Sequence, residues 1–461
     1  MKKIVTIPLL ALALAGTASA ILAPRLLGFS MTELGSAVRV ATGMGAKLAC
    51  SGRYVSGFDR AQILEDLASY SPANRLLDLE YDADGRRVTA DLLGLGKVSA
   101  RYREGLGCAL EIGDTTPLDQ VTVQTVATTD APWPEGSAVP AINADLQQRL
   151  DALLASDNAA GLETRALLVV QDGELVAESY AEGITPQTPL LGWSMGKSLT
   201  AMLQGRLEAL GQGDRQARAL FPEWQEDARR EITLEQLLQM SSGLDFDETY
   251  APGSDATHML FSAHSASDVA LQSPAAFDPG SHFSYSSGTT NLIARWLHEQ
   301  LGGTPQASID FFQQQLLQPL GMADTVFEMD PSGVFVGSSY IYASARDWAR
   351  LGQLMLNGGE LNGQQLLSEE WVQRAAMPND SENEPRYGYQ FWLNDGGDTL
   401  RYPELPADAY FMQGNRKQVV MISPSTNTVV VRLGWSAGGY PVGENFAELL
   451  PVPGRETLSG R

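Results

Sequence analysis

Ser194-Met195-Gly196-Lys197 runs directly into Ser198-Leu199-Thr200-Ala201-Met202-Leu203-Gln204-Gly205-Arg206-Leu207, where apolar residues at 199, 202, 203, 207 and 210 keep helical spacing. Ser194 is thereby placed at a helix start. Residues three apart share a helix face, so Lys197 stands about one turn beyond Ser194, with its amine in reach of the hydroxyl. Serine is a weak nucleophile until a base takes its proton, and lysine serves as that base only when burial or positive potential depresses its pKa toward neutrality. A helix N-terminus supplies such potential, and its free N–H groups favour an oxyanion. Taken alone, Ser-x-x-Lys also describes ordinary solvated helix caps. The surrounding segments decide between the two readings.

Downstream, Phe277-Asp278-Pro279-Gly280 leads through Phe283-Ser284-Tyr285-Ser286-Ser287-Gly288 into an amphipathic helix ending near Leu297. Tyr285 is there either a second proton carrier or a half-buried loop aromatic. Further segments follow a common order with these: Leu237-Leu238-Gln239-Met240-Ser241-Ser242-Gly243-Leu244, Leu317-Gln318-Pro319-Leu320-Gly321-Met322 and Ser344-Ala345-Arg346-Asp347-Trp348-Ala349-Arg350-Leu351-Gly352. Over about residues 140 to 450 the chain resembles the penicillin-binding-protein and class C β-lactamase superfamily of serine hydrolases, which includes carboxylesterases, D-aminopeptidases and aminohexanoate-dimer hydrolases. Phe246-Asp247-Glu248-Thr249-Tyr250 resembles most the aminohexanoate-dimer branch.

The resemblance implies an α+β or α/β, β-lactamase-like fold: an antiparallel sheet flanked by helices, with an inserted helical region. It also implies that Ser194 attacks a carbonyl carbon while Lys197 and Tyr285 share the proton traffic. A tyrosine, with a reference pKa near roughly 10, is a base only where an ammonium stabilises its phenolate. Which of the two first takes the serine proton stays open, because such pairs titrate as a unit. Ser287 stands where relatives often carry Asn, so its hydroxyl is a candidate partner for Lys197 or substrate. The family's third motif, Lys-Thr-Gly or His-x-Gly, corresponds to Met412-Gln413-Gly414-Asn415, without the basic residue. Gly414 lets substrate approach the strand closely. The N–H groups of Asn415 and Ser194 are expected to form the oxyanion hole. Arg416 and Lys417 follow, either supplying the missing charge or as solvated turn residues. Tyr250 and Trp392 are candidates for an apolar acyl pocket, although aromatics more often fill cores. His282 has no carboxylate placed to orient it, and the histidines are read as non-catalytic.

The organisation follows from local signals. Arg165 to Val170 and Glu174 to Glu178 flank Asp172-Gly173, a hairpin pattern, and Gln418 to Ile422 and Val429 to Leu433 flank Pro424-Ser425-Thr426-Asn427. An antiparallel sheet assembled from both ends of residues 141–455, with helices inserted between, is expected. Residues 21–128 read as a small α+β module with short alternating strands, and 129–140, carrying Pro132, Pro134, Gly136 and Pro140, as the linker.

Residues 1–20 have the features of an export signal: Lys2 and Lys3, an apolar run, then Ala18-Ser19-Ala20. Cleavage after Ala20 gives a periplasmic protein; an uncleaved anchor, prolonged by Ile21-Leu22-Ala23, gives a membrane-held one facing the same compartment. An oxidising compartment makes Cys50–Cys108 a disulfide in preference to two buried thiols, stabilising the fold by about 4 kcal/mol on a chain-entropy basis. Two cysteines and four scattered histidines assemble no zinc-ligand spacing, so no metal and no cofactor are expected. The 461 residues carry 55 acidic against 32 basic side chains, a formal charge of −23, which disfavours nucleic acid as a partner. The expected partner is a small-molecule ester or amide substrate. A serine hydrolase working through an acyl-Ser194 intermediate is the leading expectation; the alternative is a penicillin-binding or sensor-type protein that is acylated but turns over slowly.

Overall fold

The computed structural model describes residues 31–139 and 142–451. The export signal 1–20, residues 21–30, the linker end at Pro140 and residues 452–461 lie outside the described residues.

The N-terminal part is one long helix laid on a sheet. Helix α1 (Leu34–Tyr54) is followed by α2 (Arg60–Ala68), which starts where the Asp59 side chain accepts from the Gln62 N–H. Strands β1 (Leu77–Asp82), β2 (Arg87–Leu92), β3 (Leu95–Arg103) and β4 (Gly107–Leu110) form an antiparallel meander in that order. Alternation in β2 turns Val88 and Ala90 inward. The disulfide Cys50–Cys108 ties α1 to β4.

This part shares its interior with the rest of the chain. Leu48, Ile63, Val88 and Cys108 belong to one buried cluster with Leu191, Trp193, Tyr340 and Trp435. A Cβ on Gly43 of α1 would lie 2.0 Å from the Phe261 carbonyl oxygen, so glycine permits this backbone contact despite its cost of about 1 kcal/mol in a helix. A buried ion pair joins Lys47 of α1 to Glu328, whose carboxylate also accepts from the Ser51 hydroxyl at 2.7 Å and the Cys108 N–H at 2.6 Å.

Helix α3 (Ala144–Ala159), capped by Asn143, leads into β5 (Thr164–Gln171) and β6 (Glu174–Tyr180). Asp172 and Gly173 between them have φ of 52° and 81°, the left-handed pair of a type I′ turn. Strands β7 (Leu190–Leu191), β8 (Thr325–Phe327) and β9 (Ile341–Ala343) make a small sheet, and β10 (Glu360–Leu361) and β11 (Gln364–Gln365) a short ribbon. The main sheet adds β12 (Trp392–Leu393), β13 (Tyr410–Gly414), β14 (Gln418–Ser423) and β15 (Thr428–Gly434), in the order β12-β13-β14-β15-β5-β6. Pairing of β15 with β5, as Val430 against Val169, brings together the early and late strands of the segment from residue 142 onward, as expected.

Helices cover both faces of this sheet. Leu167 and Val169 share a cluster with Leu146 and Leu150 of α3, while Leu168 and Val170 cluster with Trp348 and Leu351 of α6 (Ala345–Leu356). Between β6 and β12 lies the helical insertion, which carries α4 (Met195–Ala209) and α5 (Ser287–Gln300). The proline-rich stretch 129–139 has no regular structure and is held down: Arg350 of α6 donates to the Gly136 carbonyl at 2.7 Å and to that of Pro134 at 3.0 Å. Among the described residues no helix is long and apolar enough to cross a membrane.

Candidate active site

Ser194 is the N-cap of α4, at the helix start that its sequence context indicates. Trp193 before it is held at φ 49°, a left-handed conformation that a bulky residue adopts only under constraint from its surroundings. Its indole is buried against Tyr70, Tyr340 and Trp435, which anchors the turn.

Lys197, one turn on, is 1 % exposed, and its Nζ meets three segments of chain. It lies 2.8 Å from Ser194 Oγ, 2.9 Å from Ser287 Oγ and 3.1 Å from the Ser338 carbonyl oxygen. Burial disfavours the ammonium and brings the amine down to about 8, with the Glu248 carboxylate pulling the other way. That value leaves a sizeable neutral fraction near physiological pH.

Ser287 opens α5, and Glu248 occupies the helix terminus: it accepts the Ser287 N–H at 2.7 Å and the Ser287 hydroxyl at 2.5 Å. An anion is favoured at that position by the unpaired amides and the helix dipole. Tyr250, at φ 59°, donates its hydroxyl to Glu248 at 2.9 Å and lies 3.1 Å from Ser287 Oγ.

Tyr285 stacks on Trp392, with centroids 5.3 Å apart and 23° between planes, and meets the edge of Tyr387 at 6.2 Å. Lys197 Nζ stands 4.9 Å from its ring centroid. Burial pushes the Tyr285 phenol well above the ordinary tyrosine range; its contact with the Ser194 hydroxyl pulls down and Glu248 adds a smaller upward push. The phenol is therefore protonated in the resting site.

Gly414 ends β13 against the turn that precedes the serine: a Cβ there would lie 2.2 Å from the Gly192 carbonyl oxygen. Asn415 follows, in the wall of the same cavity as Trp193 and Tyr250. Arg416 is not a solvated turn residue. The residue is buried, its backbone is left-handed at φ 59°, and its guanidinium lies 3.7 Å from the centroid of the Tyr70 ring in the N-terminal part. Lys417 is exposed, and Gln418 begins β14. His282 stacks on Phe277 at 4.1 Å. Tyr340, Tyr342 and Tyr389 are core residues.

The structure thus gathers Ser194, Lys197, Tyr285, Ser287, Tyr250 and Trp392. It adds Glu248, the Ser338 carbonyl and Tyr387, to which no role follows from sequence. Glu248 lies inside the segment Phe246 to Tyr250, but its contact with Ser287 spans 39 residues and leaves no local signal. Among the described residues no cluster of His, Cys, Asp and Glu is arranged to hold a metal ion.

A helix-borne serine beside a buried lysine, on an antiparallel sheet with helical insertion, defines a serine hydrolase. The chain belongs to the beta-lactamase family, whose profile matches residues 146–444. It is 25% identical over 346 residues to the 6-aminohexanoate-dimer hydrolase of Paenarthrobacter ureafaciens, covering 70% of this chain and 83% of that one. In fold it is similar to a protein of Bacillus anthracis solved as a candidate 6-aminohexanoate-dimer hydrolase, with TM-score 0.56 and 22% identity over 73% of this chain and 91% of the other. A family VIII carboxylesterase structure is similar at TM-score 0.51 and 16% identity, over 67% of this chain and 97% of that one.

Proposed function

We propose that the protein hydrolyses an ester or linear amide through an acyl-Ser194 intermediate, with Lys197 as the base and Tyr285 as a protonated shuttle. The observation that carries this reading is the buried Lys197 amine, brought down to about 8 and 2.8 Å from Ser194 Oγ. Neutral Lys197 takes the serine proton as Oγ bonds to the carbonyl carbon. The N–H groups of Ser194 and Asn415 stabilise the oxyanion. Tyr285 gives its proton to the departing alcohol or amine and is reprotonated by the Lys197 ammonium, so the charges balance without a free phenolate. Water then attacks the acyl-enzyme by the same route in reverse.

The Arg416 guanidinium lies on the Tyr70 ring, and the resemblance to a 6-aminohexanoate-dimer hydrolase favours linear amides as substrates. The Cys50–Cys108 bridge supports export to an oxidising compartment, and residues 21–128 are proposed as an N-terminal module whose described part packs against the catalytic one. The test is hydrolysis of p-nitrophenyl butyrate and a linear amide by wild type, Ser194→Ala and Lys197→Ala. Both variants are expected to lose turnover, and retained turnover in both contradicts the assignment.

A further inference from the structure

A cavity of about 340 Å³ lies between the N-terminal helix and the residues around Ser194. That is within the range, roughly 300–1,000 Å³, of pockets that enclose most of a small ligand. Val38, Ala41 and Met44 of α1 form one wall, and Trp193, Tyr250 and Asn415 contribute to the other. The second wall adjoins the reacting centre, although Ser194, Lys197 and Tyr285 do not themselves line the cavity. Trp193 directly precedes Ser194, Asn415 follows Gly414 at the end of β13, and the Tyr250 hydroxyl is 3.1 Å from the Ser287 hydroxyl that meets Lys197.

The lining is mostly apolar, with Ser71, Asn74, Thr257 and Asn415 as its polar members. None of its described residues carries a charge, and most are aliphatic or aromatic. Tyr250 is 41% exposed, with its hydroxyl held 2.9 Å from Glu248 and 3.1 Å from Ser287 Oγ. The α1 wall is fixed in place by the Gly43–Phe261 backbone contact, the Lys47–Glu328 pair and the disulfide. Such a wall selects by size and apolarity, because a water-filled apolar cleft gains free energy when a hydrocarbon chain displaces its water.

We infer that this cavity takes the apolar chain of the ester or amide substrate, which makes α1 part of the specificity site. This rests on the acyl-Ser194 reading and adds the substrate class to it: a scissile carbonyl bearing a medium-length hydrocarbon chain. The chain lies under α1, and the carbonyl reaches Ser194 past Trp193.

The test is the rate at which the intact protein is labelled by two fluorophosphonates that differ only in an ethyl or an octyl chain, with the modified serine located by peptide mass mapping. The octyl reagent is expected to label Ser194 roughly tenfold or more faster, since each methylene in an apolar pocket adds a sizeable increment. Ala41→Trp, which fills the cavity from α1, is expected to bring the octyl-to-ethyl ratio close to one. Ala37→Phe is a second, milder obstruction on the same helix. Equal rates in wild type, as when another part of the chain fills the space, overturn the inference while leaving the nucleophile intact. A ratio unmoved by a folded wall variant overturns it too. Labelling of Ser194 by neither reagent contradicts the acyl-serine reading itself.

Discussion

Glu248 accepts the Ser287 hydroxyl at 2.5 Å, and through that serine its charge faces the Lys197 amine. The carboxylate raises the lysine against the larger downward effect of burial. In Glu248→Gln the amide keeps an acceptor for Ser287 but loses the charge, so Lys197 titrates at lower pH. The acid limb of the kcat/KM profile is expected to move to lower pH than in wild type. An unmoved limb would show that Glu248 does not act on the base.

Lys197 itself sets the limb. With the amine at about 8 and neutral lysine required, kcat/KM is expected to rise through about pH 8 and level above it. Lys197→Ala is expected to lower it by roughly 10²- to 10⁴-fold, the usual range for a positioned acid or base. Stability has a matching sign. Between about 8 and 10.5 the unfolded chain binds a proton that the folded chain does not, so stability rises with pH in that window. Below it the penalty of burying the ammonium is present in full. Lys197→Met is therefore expected to raise Tm at pH 7, by an amount that shrinks between pH 8 and 10.5; a constant difference across that range would contradict the lowered amine.

Trp392 positions Tyr285 by stacking at 5.3 Å, and Arg401 covers the tryptophan at 4.4 Å. Stacked aromatic pairs contribute about 0.5–1.5 kcal/mol beyond burial. Trp392→Ala is expected to lower kcat by roughly tenfold, with Trp392→Phe recovering most of it. A change confined to KM would place Trp392 in binding instead of in holding Tyr285.

The joint between the N-terminal part and the catalytic part rests on Lys47 and Glu328, both buried. Burial disfavours the charge on each, and each is the other's main compensation. Lys47→Met leaves the carboxylate buried without its partner and is expected to cost about 3–5 kcal/mol in denaturant unfolding. Lys47→Met with Glu328→Gln is expected to cost less than the single change. Equal losses in the single and double variants would contradict a coupled pair.

What the sequence made legible was local. Asp172-Gly173 states its own turn, and the three-residue step from Ser194 to Lys197 states their shared face, because both depend only on neighbours. Order among the later segments carried the family. Helix α1 was harder to see, since Gly35, Gly43, Gly45 and Gly52 weaken a helical pattern whose purpose appears only when Phe261 is laid against Gly43. Glu248 and Arg416 depend on tertiary placement in the same way: one meets a helix start 39 residues on, the other lies on the ring of Tyr70 in the N-terminal part.

The central claim is a covalent bond to one oxygen, and its most direct measurement is the mass of the protein quenched during turnover of p-nitrophenyl butyrate. Tyr285→Phe, expected to be slow in deacylation, is the form to quench. The account predicts a single butyryl adduct that peptide mapping places on Ser194, absent from Ser194→Ala. An adduct on another residue, or turnover in Ser194→Ala equal to wild type, would contradict it.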